Sequence, residues 1–129
     1  MAMQISRLTD FPVIIFDFSG SFDPEKDIEA ILQEVIVFKK ERSGGVYRVL
    51  DLTKMQLNFS DMMVAMAVER GRDGGANDSD VTTIFAATGD LYTMGVESLR
   101  GQEQYGKVMV HMFPTREAAM DFVKSDFKK

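Results

Sequence analysis

The sequence predicts an α/β domain with a mixed, mostly parallel five-stranded sheet and about four helices. Three observations lead there. Short apolar runs suited to buried strands alternate with longer segments whose apolar residues recur at helical spacing. The first two strand-like runs are joined by a turn with no helix between them, so that pair alone is expected to be antiparallel. With 129 residues, 45% of them hydrophobic and 27% charged, residues 1–129 have the size and composition of one domain with a substantial core.

Met3 and Ile5 alternate with Gln4 and Ser6, the period of a half-buried strand. Thr9-Asp10-Phe11-Pro12 is a turn, and Val13–Phe18, apolar apart from Asp17, suits a central strand covered on both faces. Asp23-Pro24 opens a helix expected over 24–43, with Asp23 as cap and proline at the first helical position. Ile28, Ile31, Leu32, Val35 and Phe38 give its apolar stripe; Lys39, Lys40 and Arg42 suit its carboxyl end, and Gly44-Gly45 stop it. Val46–Thr53 is the next strand. A second helix is expected over 60–71, capped by Ser60, with Phe59 stapled onto Val64. Residues 71–80, with three glycines and three aspartates, predict a flexible loop. Val81–Thr88 and Lys107–Phe113 are the remaining strands. Helices are expected over 90–104, carrying Gly95 and Gly101, and over 115–126, capped by Thr115.

A net charge of −5 removes the main attraction to phosphate backbones, so nucleic acid is not an expected partner. The absence of cysteine removes disulfides, thiolate nucleophiles and cysteine-held metals. His111, the single histidine, sits in a strand between Met109 and Phe113. A metal needs more ligands, and nucleophilic catalysis needs a placed nucleophile and an orienting acid, so His111 is expected to be structural. Gly71-Arg72-Asp73-Gly74-Gly75 follows a helix, whereas a phosphate cradle leads from a strand into one. No catalytic residue, metal or cofactor is expected, and the chain is not expected to be an enzyme. No long apolar run follows a basic start, and the longest apolar stretch, Met62–Val68, is far below the roughly 20 residues that span a bilayer. The expectation is a cytoplasmic domain with no membrane insertion.

The second helix is apolar nearly all round. Val64, Ala67 and Val68 form one face, and Met62, Met66 and Glu69 another. If the valine face packs on the sheet, Met62 and Met66 are exposed and suit partner binding; the alternative is that both methionines are core.

Three segments together resemble the STAS domain, in particular its SpoIIAA-like branch. Phe16-Asp17-Phe18-Ser19-Gly20-Ser21-Phe22-Asp23 is similar to the family's strand that ends in a glycine and an aspartate before the first helix. Val49-Leu50-Asp51-Leu52-Thr53 is similar to its Leu-Asp-Leu-Ser/Thr strand, and Phe113-Pro114-Thr115-Arg116-Glu117-Ala118-Ala119 to its last turn and helix start. In anti-sigma-factor antagonists of this family the second helix begins Asp-Ser-Ser-Gly, and the second serine is phosphorylated. Here Asp61 stands at that position, with Ser60 beside it, which argues against kinase regulation. Asp51 also resembles the phosphoacceptor of response-regulator receivers. That likeness fails, because Asp17 is followed by Phe18-Ser19-Gly20 instead of the second acid that helps hold magnesium, and Pro114-Thr115 stand where receivers carry a lysine.

The resemblance implies a non-catalytic, regulatory protein-binding module. Its partner surface is expected at Thr53, Ser60, Asp61, Met62, Met66 and Glu69, together with the 71–80 loop, and a homodimer is one form such binding can take. The alternative is a domain for an apolar small molecule or lipid, since the SpoIIAA-like fold is also similar to CRAL-TRIO lipid carriers. A cavity of roughly several hundred Å³ favours the alternative, and an exposed apolar patch without one favours the protein-binding module.

Overall fold

The computed structural model describes residues 2–42, 44–101 and 109–128. Five strands, β1 (Ala2–Arg7), β2 (Val13–Gly20), β3 (Val46–Met55), β4 (Val81–Ala86) and β5 (Val110–Phe113), form one sheet in the order β1-β2-β3-β4-β5. Strand β1 pairs antiparallel with β2, through partners such as Ile5 and Phe16, and every other pairing is parallel. The helices are α1 (Pro24–Glu41), α2 (Phe59–Glu69), α3 (Asp90–Arg100) and α4 (Arg116–Phe127).

The three crossovers β2-α1-β3, β3-α2-β4 and β4-α3-β5 all step the same way across the sheet. Right-handed crossovers that step one way place their helices on one face. Accordingly Ile31, Leu32 and Val35 of α1 pack with Ile14, Phe16 and Leu50, joined by Ala65 and Val68 of α2 and Tyr92 of α3. Helix α4 covers the opposite face, where Ala119 and Val123 meet Val13, Ile15, Tyr47, Val49 and Ile84. A bulge in β3, where Asp51 and Lys54 align with Asp17 and Ser19, shifts the alternation so that both Leu52 and Met55 reach the three-helix face.

Helix α1 begins as its sequence dictates: the Asp23 carboxylate accepts the Lys26 N–H at 3.2 Å, and Lys39 and Lys40 occupy the last turn. Thr115 caps α4 by accepting the Ala118 N–H at 3.1 Å. Strand β4 ends at Ala86, two residues before the expected Thr88. Helix α3 is described to Arg100 and β5 from Val110; residues 102–104 and 107–108 of those expectations lie outside the described residues.

The 71–80 segment is not the loose loop its composition suggests. Gly74, Gly75 and Ala76 are buried, and a Cβ on Gly74 would lie 2.9 Å from the Leu32 carbonyl oxygen, so glycine lets the loop lie against α1. Asp78 accepts from Lys39 Nζ at 2.6 Å and from the Gly74 N–H at 2.8 Å, and Arg72 pairs with Glu29 at 2.7 Å. Burial works to raise the Asp78 pKa, but the Lys39 bond and the backbone donors outweigh it and hold the carboxyl below its usual range.

Candidate binding face and the cavity behind it

Helix α2 starts one residue earlier than expected and with another cap. Asn58 has extended backbone, and its side-chain oxygen accepts the Asp61 N–H at 2.8 Å. Ser60 is therefore an exposed residue of the first turn and not the cap, and Phe59 is the first helical residue, too early to staple onto Val64.

The rotation of α2 follows from one long-range pair. Arg48 is fully buried in β3, where it donates to Thr83 Oγ1 at 2.7 Å and forms an ion pair with Glu69. The same Glu69 oxygen accepts the Ala76 N–H at 2.7 Å. A buried guanidinium without a carboxylate is costly, so Glu69 must face inward. Met62, Ala65, Met66 and Glu69 stand at i, i+3, i+4 and i+7, so turning Glu69 inward turns all four. Met62 is 7% exposed and Glu69 8%, which removes both from the partner surface expected of them. Met66 likewise turns inward, packing near Ala76, Val96 and Leu99. The valine face is split: Val68 packs inward, while Val64 and Ala67 face out.

What α2 presents to solvent is Phe59 (54% exposed), Met63 (46%), Val64 (36%), Ser60 and Ala67. No ionisable side chain is among them. Asp61, half-buried, lies in the first turn beside this face, whereas the exposed Thr53 bonds Asp51 on the α4 side of the sheet, away from it.

Behind α2, towards α3 and the sheet, lies an almost wholly apolar cavity of about 80 Å³, lined by residues that include Leu50, Met55, Met62, Met66, Phe85 and Tyr92. Gly95 permits the close approach of α3, since a Cβ there would lie 2.8 Å from Met62 Sδ. The Tyr92 hydroxyl donates to the Met55 carbonyl at 3.4 Å, and burial pushes its pKa up.

On the other face, Asp17 and Asp51 are neighbours across β2 and β3 at the carboxyl ends of the strands. Each is engaged within the protein. Arg116 donates to Asp17 at 3.2 Å, and the Thr53 N–H and hydroxyl donate to Asp51 at 3.0 and 2.6 Å. Among the described residues, no group of three His, Cys, Asp or Glu is placed to hold a metal ion. The His111 ring packs 4.3 Å from that of Phe122, and burial first, then the Arg100 charge, lowers its pKa, while Asp126 works the other way. No helix among the described residues is long and apolar enough to cross a membrane.

No protein-family model matches the chain, and no curated protein matches it. Among solved structures, it is similar to an uncharacterized protein of the DUF3478 family with a SpoIIAA-like fold, from Shewanella loihica PV-4. The two share 14% identity and a TM-score of 0.56, over 95% of this chain and 92% of that one. The fold is SpoIIAA-like, as the sequence resemblance implied, and at this identity the likeness carries the fold alone.

Sequence reasoning missed Phe59, Met63 and Val64 as surface residues and Arg48 as the partner of Glu69. The signal for the last was present: Arg48 is the one basic residue in an otherwise apolar and aromatic run, Val46–Leu50, and demands a carboxylate.

Proposed function

We propose that this domain is a non-catalytic binding module that holds a protein partner on the outward face of α2. The observation that carries the reading is the joint exposure of the apolar Phe59, Met63 and Val64 on a helix whose opposite side is already buried. Isolated exposed apolar residues are ordinary, but here three of them, at i, i+4 and i+5, share one eleven-residue helix. Aromatic residues and methionine are also enriched in interface cores. The cavity of about 80 Å³ supports this reading over lipid carriage, since ligand pockets run to roughly 300–1,000 Å³. Ser60 and Asp61, in the first turn of α2, supply its polar rim.

A photo-crosslinking amino acid placed at position 63 in cells tests it, with position 37 as control, because Val37 is also 46% exposed and lies on α1. Discrete protein adducts at 63 and none at 37 are expected, and an adduct with a second copy of the chain makes the partner a homodimer. Equal, diffuse labelling at both positions contradicts the reading.

A further inference from the structure

We propose that the cavity behind α2 is a binding site for a short, uncharged alkyl group. Its size sets the class. At about 80 Å³, against roughly 300–1,000 Å³ for pockets that enclose whole ligands, it suits the end of an alkyl chain or a very small apolar molecule and not a whole lipid. Its lining excludes water as a good occupant, because an ordered water needs two to four polar partners. Glu69 is taken by Arg48 and the Ala76 N–H, and Tyr92 by the Met55 carbonyl.

The walls are also built to adapt. Met55, Met62 and Met66 line the space, and unbranched thioether side chains repack around an occupant at little strain. Phe85, in the parallel strand β4, is only half-buried although α2 and α3 lie over it, so the space opens directly onto the sheet. Phe22 and Tyr92 place one end of the cavity at the carboxyl ends of β2 and β4, where open α/β sheets bind ligands. The alkyl group can belong to a small free molecule or to the end of a longer chain that reaches in from outside.

Methyl-labelled methionine spectra, titrated with isobutanol and separately with octan-1-ol, test this. Saturable shifts at Met62 and Met66 are expected, with the exposed Met63 and Met94 methyls unmoved. Ala65→Leu fills the cavity and should abolish the shifts. Octan-1-ol binding at least tenfold more tightly than isobutanol identifies the site as one for a chain end, and comparable binding identifies a small free molecule. Shifts that never saturate, that appear equally at Met63 and Met94, or that persist in Ala65→Leu overturn the proposal. If Ala65→Leu does not fold, the pattern across the wild-type methyls decides.

Discussion

Arg48 has no exposure to solvent in the middle of β3, and a single carboxylate, that of Glu69, meets its charge. Its Nη1 has no hydrogen-bond partner among the described residues. Buried pairs of this kind add little net stability, yet breaking one from a single side is severe. Glu69→Gln should therefore cost about 3–5 kcal/mol in urea denaturation. The double replacement Arg48→Met with Glu69→Leu should recover most of that loss; if it is as unstable as the single variant, uncompensated charge is not the cause. His111 gives a second residue-scale expectation. Burial, helped by Arg100, depresses its folded pKa below the ordinary 6.5. The stability tied to the neutral ring is thus present above pH 6.5 and lost as pH falls towards the folded value. Because the chain has one histidine, a ring-proton NMR titration reads this pKa without ambiguity, and His111→Phe should flatten the fall in melting temperature over that range. A midpoint at or above 6.5 contradicts the burial argument.

At the scale of elements, α1 and α2 differ in how far the sequence determines them. Helix α1 carries a cap, a proline, a single apolar stripe and ordered charges, and its expected span of 24–43 differs from Pro24–Glu41 only at the carboxyl end. Helix α2 is apolar nearly all round, so periodicity could place the helix but not rotate it; the pairing of Glu69 with Arg48, 21 residues away, does that. The same long-range dependence hid the tethering of 71–80, where Gly74 allows close packing on α1 and Gly75 on Glu69. Two pairs of variants follow. Met62→Glu buries a charge against Gly95 and the cavity and should cost several kcal/mol, whereas Met63→Glu should stay within about 0.5 kcal/mol of wild type. Asn58→Ala should cost about 1 kcal/mol as a lost cap, and Ser60→Ala almost nothing; the reverse order in thermal melts would restore Ser60 as the cap.

For the whole molecule, the mixed sheet and its antiparallel first strand were legible in the sequence, but the order β1-β2-β3-β4-β5 was not, because alternating strands and helices are compatible with crossovers that step one way or reverse. What no local pattern could supply is which side of α2 is left over after the three-helix layer packs. That leftover side makes the binding proposal specific, since Phe59, Met63 and Val64 are outward only because Met62, Ala65, Met66 and Glu69 are inward. The decisive measurement is the affinity of the partner captured at position 63 for wild type, Met63→Glu and Val37→Glu, with melting temperatures taken alongside. A charge on the α2 face must be desolvated on binding, so Met63→Glu should weaken the complex at least tenfold while Val37→Glu leaves it unchanged, with all three proteins melting alike. Equal affinities for the three proteins would contradict the account.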